Sequence, residues 1–427
     1  MVARVTLVTF LVLLFAFTTT AKDSWVEVRS PHFIVYSNAG DHDARRTAEQ
    51  FEQFRELFHA ALPKMRIDLG KPIVIFAVKN EGNMKTFLPG YWEAKDHVHP
   101  AGLYLNGEDK HTVLLRLDIE GPNPYEVIYH EYTHALLALN FRDLPVWLNE
   151  GLAEFFGNSH LDEKESGIGI PPNGLLYELR TNTLIPIETL LQVDHTSPYY
   201  NERDRTSMFY AQSWALVHYL MLDPNARKQQ LFGNFLTAWD SGESQVEAAQ
   251  KTFGDLKKFG QAVDDYVRAG NFQYERIKLA LTADPKSYTS RPLPDAELDA
   301  LMGEFYTRTA RPKEAQAGLD EALKADPNLA ETHFALGQLA YAQHDLATAE
   351  KEYARAVELN SGNFLAYFAL ARAQVWNGGV TRSEAAQRQI ASLQKCLGLN
   401  PNFAPAWSLL ASVYSHNPAT YDKALEA

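Results

Sequence analysis

Apolar residues recur along this chain with two distinct periods, and each change of period marks a new element. Trp25 to Arg29 and Phe33 to Ser37 are short, β-rich runs separated by Ser30 and Pro31, which is the pattern of two strands. From Asp41 to Leu62 the period lengthens, and Phe51, Phe54, Leu57 and Phe58 fall on one face of a helix. Pro72 to Val78 is an unbroken apolar run, as in a strand covered on both faces. Ala101 to Leu105 and Thr112 to Leu117 form a strand pair joined through a polar stretch containing Gly107. These elements predict a small mixed sheet with one helix.

A second group of helices follows. Asn123 as N-cap and Pro124 in the first turn predict a helix that ends near Asn140, before Pro145, with Val127, Ile128, Leu136 and Leu137 facing the sheet. The next helix covers Val146 to Phe156 and packs through Trp147, Leu148 and Leu152. Asn158 to Asn182, rich in Gly and Pro, reads as a loop bordering a cleft. Thr206 to Leu222 is a helix, and helical patterns continue to about Ala269. Periodicity then weakens, so 271–295 reads as a linker between a first domain over 22–270 and a second over 296–427.

The second domain repeats itself at a period of 34 residues. Gly303, Tyr306, Ala315, Ala322 and Pro327 align with Gly337, Ala340, Ala349, Ala356 and Ser361. A third unit starts near Phe364, with an insertion around Gly378 to Arg382, and a fourth starts at Ala404. The pattern resembles the tetratricopeptide repeat. That resemblance implies an all-α solenoid whose concave surface binds a peptide or protein partner, or one that simply supports the first domain. The pattern stops in mid-helix at Ala427, so the last repeat is incomplete or its final helix frays.

Composition narrows the function. The chain has 427 residues, 46% of them hydrophobic and 22% charged, as in a globular protein of two or three domains. A net charge of −13 leaves no basic surplus to neutralise phosphates, which argues against nucleic acid as a partner. Residues 1–21 have the form of a secretory signal: Arg4, an apolar run over Val5 to Phe17, then Thr19 and Ala21 before a cut. An uncleaved N-terminal anchor is the alternative. Otherwise no membrane contact is expected, and the address is periplasmic or extracellular. Cys396 is the only cysteine, at a small-residue packing position of the third repeat. A metal site would therefore have to be built from histidine and carboxylate.

Such a set is present. His130, Glu131 and His134 have HExxH spacing, so two imidazoles share one helical face and Glu131 lies beside them, where a carboxylate deprotonates water. Zinc hydrolases use three protein ligands, and Glu150 and Glu154 on the next helix are the candidates for the third. Here HEYTH followed by WLNEGLAEFF resembles the gluzincin, peptidase-MA-like metallopeptidases. The resemblance implies an α+β catalytic domain, a small mixed sheet plus helices, with Zn2+ held by His130, His134 and Glu150. It gives Glu131 the general-base role and places Glu154 behind His130. The connecting loop is shorter than in the best-known members, so the roles of Glu150 and Glu154 are exchangeable at this point. The metzincin pattern is absent, since Leu137 and Asn140 stand where it needs Gly and His.

The resemblance also implies a donor for the oxyanion, for which Tyr210 is the first candidate and His218 the second. Tyr210 lies equally on an apolar stripe with Trp214, Val217 and Met221, consistent with plain packing. One strand of the pair, Ala101–Leu105 or Thr112–Leu117, would be an edge that receives extended substrate. The aminopeptidase GxMEN motif is absent, which favours endopeptidase action. His97, His99 and His111 read as solvated loop histidines. The function expected is an exported zinc metallopeptidase whose repeats recruit substrate or partner protein. The alternative is an inactive scaffold of the same fold that binds proteins through its repeats.

Overall fold

The computed structural model describes residues 23–416 apart from 94–99, 108, 122, 163–164, 280, 282, 361 and 376–380. The signal segment, His97, His99, most of the third-unit insertion and the C-terminal residues 417–427 lie outside the described residues.

The chain is mixed α+β. Strands β1 (Trp25–Arg29) and β2 (Phe33–Ser37) form a hairpin, and helix α1 (Asp41–Ala61) crosses to β3 (Ile73–Val78). Two short helices not foreseen from the sequence, α2 (Glu81–Phe87) and α3 (Pro89–Glu93), precede β4 (Gly102–Asn106) and β5 (His111–Arg116). The sheet order is β4-β5-β3-β2-β1-β8, where β8 is Thr289–Leu293, with β2, β3 and β5 parallel and the outer pairings antiparallel. Strand β3 is buried throughout, as its apolar run requires. Ile73, Ile75 and Ala77 enter the core under α1, while Val74, Phe76 and Val78 enter a second core on the other face.

Helices α4 (Glu126–Asn140) and α5 (Val146–Gly157) form an antiparallel pair. After them come β6 (Ser166–Ile168), α6 (Asn173–Thr181), α7 (Ile187–Leu190), α8 (Pro198–Asn201), α9 (Arg203–Leu222), α10 (Pro224–Lys228), α11 (Leu231–Asp240), α12 (Gln245–Phe253) and α13 (Leu256–Ala269). The stretch expected as a loop, 158–182, thus carries a strand and a helix. Three details of α4 differ from expectation. The helix begins at Glu126, with no side-chain cap. Asn123 instead donates its amide to the Gly157 carbonyl at 2.6 Å, satisfying the end of α5 and tying the two helices together. Val127 is 45% exposed rather than against the sheet, because it lies one turn before Glu131 on the open face.

The segment 271–295 is not a free linker. It carries β7 (Glu275–Ile277), paired with β6, and β8 (Thr289–Leu293), which pairs along the whole length of β1. The chain leaves β8 directly into α14 (Asp295–Arg308), whose Leu298 and Phe305 complete the second core of the sheet with Phe76 and Phe87. The Phe305 ring meets Phe87 at 5.2 Å and Phe76 at 5.9 Å, both edge-on. Each such buried side chain contributes about 1.5–3 kcal/mol. The sheet and the helical array are therefore one packed body at this junction.

Beyond α14 come α15 (Pro312–Ala325), α16 (Ala330–Ala342), α17 (Leu346–Leu359), α18 (Phe364–Ala373), α19 (Arg382–Leu399) and α20 (Ala404–Ser415). They are helical hairpins in the phase the sequence gives. A Cβ on Gly303 would come within 2.6 Å of Leu319, and one on Gly337 within 2.5 Å of Tyr353, so the same repeat position makes the same close approach twice. Cys396 is buried, and burial alone pushes its thiol up to about 12, consistent with a packing role. Among the described residues no helix is long and apolar enough to cross a membrane.

Candidate metal centre

Helix periodicity brings His130 and His134 onto one face of α4, and the α4–α5 turn returns Glu150 opposite them. Asn140 fixes that turn. Its side chain accepts from the Arg66 backbone N–H at 2.7 Å and donates to the Arg66 carbonyl, ending α4 where Pro145 starts the next helix. Close approach is possible because α5 carries glycine at its crossings. Gly151 faces the Ser213 backbone of α9, and Gly157 faces His130.

The Nε2 atoms of His130 and His134 lie 3.1 Å apart, and Glu150 Oε2 lies 3.5 and 3.4 Å from them. Atoms bound to one tetrahedral zinc sit about 3.3 Å from each other, given bonds of about 2 Å. The three donors thus fit such an ion. Glu150 Oε2 is also a buried atom without a hydrogen-bond partner. An orphaned anionic oxygen costs free energy unless a cation faces it.

Each of these three side chains is held from behind. His130 Nδ1 contacts Glu154 Oε1 at 3.4 Å, and His134 Nδ1 lies 3.1 Å from Asn149 Oδ1. An amide oxygen only accepts, so His134 donates from Nδ1 and presents Nε2 to its neighbours. Tyr200 donates its hydroxyl to Glu150 Oε1 at 3.2 Å. With only the protein's own atoms present, burial disfavours charge on all these groups, but the carboxylates and imidazoles outweigh it. Glu150 and Glu154 push His130 up to about 10, and the two histidines hold Glu150 down at about 2. Protons then supply the positive charge that a cation would bring.

Of the residues expected from the sequence, His130, His134 and Glu150 converge, and Glu154 stands behind His130 rather than among the ligand atoms. No described side chain hydrogen-bonds the Glu131 carboxylate. The Tyr210 ring lies 6.4 Å from that of His130 and stacks at 6.4 Å on that of Tyr200. Burial first, then the Glu150 charge, keeps the Tyr210 phenol far above its ordinary range, so it remains a donor. His218 does not join. It is fully buried, bonded to the Gly169 carbonyl at 2.9 Å and the Tyr266 hydroxyl at 2.7 Å, and burial holds it neutral with a pKa of about 4. His111 is also buried rather than solvated, and it too is pushed down to about 4 by burial. Strand β4 is the sheet edge nearest the centre, with Gly102 against Ile128 of α4; β5 is internal.

Asn149 and Tyr200 are the supporting residues that residue-by-residue reading missed. Asn149 was visible as the neighbour of Glu150. Tyr200 gives no local signal, since it arrives from α8, fifty positions further along the chain. Residues 126–235 match a family described as a protein of unknown function (DUF1570). The match starts at α4 and takes in α4 and α5 together with Tyr200 and Tyr210, but neither the six-stranded sheet nor the helical hairpins. No curated protein matches the chain.

Proposed function

We propose that this chain is an exported zinc metallopeptidase of gluzincin type whose tetratricopeptide-like hairpins recruit a peptide or protein. The observation that carries the reading is the closed ligand set. Three donor atoms converge at tetrahedral spacing, and each ligating side chain is anchored by a separate partner: Glu154, Asn149 or Tyr200.

His130, His134 and Glu150 would hold the ion. When bound, it would acidify a water and polarise the scissile carbonyl. Glu131, beside the site, would serve as the base that accepts a proton from the attacking water and returns it to the leaving amine. Tyr210, held as a neutral phenol, donates to the oxygen that becomes negative as the carbonyl carbon turns tetrahedral. Strand β4, whose outer edge pairs with no other described strand and whose Gly102 meets α4, would receive an extended chain by backbone pairing.

The test uses residues 22–427. The protein should carry one zinc per chain and cleave peptides from a mixed library, and Glu131→Gln should keep the zinc while losing about 10²–10⁴-fold in rate. Zinc with no cleavage by either protein would favour the inactive scaffold. Failure to take up zinc after reconstitution would sink the metal reading.

A further inference from the structure

Glu150 can offer a cation one oxygen or two, and the difference decides whether a fourth position stays open for water and substrate. Its two oxygens have different surroundings. Oε2 faces the imidazoles at 3.4 and 3.5 Å and has no hydrogen-bond partner, whereas Oε1 accepts from Tyr200 at 3.2 Å.

Tyr200 itself is locked. Its backbone N–H bonds the Ser197 carbonyl at 3.0 Å, its own carbonyl accepts from Thr206 Oγ1 at 3.2 Å, and Asn201 ties the same turn to the His195 carbonyl at 2.7 Å. The ring is wedged edge-on between His195, at 5.0 Å, and Phe209, at 6.0 Å. An ionised carboxylate only accepts, so the Tyr200 proton points at Oε1. The Tyr210 ring stacks on that of Tyr200 at 6.4 Å.

We propose that Tyr200 is a positioning residue that engages Glu150 Oε1 and so confines the carboxylate to single-oxygen binding, keeping the fourth position of the metal open. The proposal rests on the metal reading above, and its test separates the two.

The experiment is cobalt substitution of the full chain, followed by visible absorption and by zinc content. Wild type should take up one cobalt with the intense band of a four-coordinate ion. Tyr200→Phe keeps the ring and its packing, and should bind the same amount of cobalt with a several-fold weaker band as the second carboxylate oxygen enters. Tyr210→Phe should leave the band unchanged. An unaltered band in Tyr200→Phe at full occupancy overturns the proposal while leaving the metal reading intact. Absence of metal from wild type overturns both. Thermal unfolding of the metal-free proteins is the fold control: equal midpoints for wild type and Tyr200→Phe assign the spectral change to coordination. A large loss in the variant would make Tyr200 a packing residue and overturn the proposal. Peptide hydrolysis should follow the spectrum, with kcat falling and KM unchanged.

Discussion

The α4–α5 pair and the hairpins of the helical array are built on the same device, a glycine where two helices cross, and they use it differently. In α14–α15 and α16–α17 the space left by Gly303 and Gly337 is filled by side chains, Leu319 and Tyr353. In α5 the space left by Gly151 is taken first by main chain, the Ser213 carbonyl of α9, with Val217 beside it, and Gly157 admits the Cα and Cβ of His130. A side chain can turn aside, but a helical carbonyl cannot move without taking its helix with it. The array can therefore vary around its crossings, whereas α5, which carries Glu150, is held directly against the main chain of α9.

The sharpest way to break this contrast is Gly151→Ala. Its Cβ would meet the Ser213 oxygen at 2.5 Å and Val217 at 2.7 Å, so we expect a loss of about 3 kcal/mol on denaturant unfolding, together with loss of zinc. Asn149→Ala removes the partner of His134 Nδ1 without touching a crossing. Zinc titration against a competing chelator should show affinity about 10–100-fold weaker, with stability of the metal-free chain little changed. Gly337→Ala crowds the Tyr353 ring at 2.5 Å, and part of that cost is offset by helix propensity. A net loss of about 1–2 kcal/mol is expected, with zinc content unaltered; a loss of zinc there would show that the array and the metal site are less independent than their packing implies.

The smallest effect is expected at the far edge of the sheet. Glu27 is 4% exposed and bonded by Arg29 at 2.5 Å and Arg291 at 2.8 Å. Burial works against its charge, but the two guanidinium groups prevail and hold its pKa below the ordinary 4.5. A depressed folded value means that ionisation favours the folded state. The contribution is complete above pH 4.5 and fades as pH falls through the lower folded value. Melting curves of Glu27→Gln should thus lie below wild type at pH 7 and converge with it in acid.

Legibility in the sequence followed the range of the interactions. His130, Glu131 and His134 could be read because helical periodicity places them, and β3 because its burial on both faces writes an unbroken apolar run. Strand β8 could not. Four of its five residues are exposed, and Pro292 sits on an edge that needs no N–H, so the segment shows neither alternation nor apolarity. Val127 misled for the opposite reason: an apolar side chain on the open face of α4 looks like core until the neighbouring elements are known. Tyr200 was hidden because its importance lies in one hydroxyl contact across fifty positions. Asn123 was assigned the role its residue type favours, a cap, when its amide was needed by the Gly157 carbonyl.

The pairing of β8 with β1 sets an order of events during synthesis. Residues 25–29 emerge early, yet the strand that covers their outer side is residues 289–293. Until then β1 is an open edge, a row of unsatisfied backbone groups that could recruit a foreign strand. Its charged residues, Glu27 and Arg29, discourage such pairing, and the same Glu27 later receives Arg291 when β8 arrives. Closing the sheet is a late, long-range step of the kind that slows folding. Because α14 follows β8 without a break, the front of the protein reaches its final form only once the first repeat helix has left the ribosome.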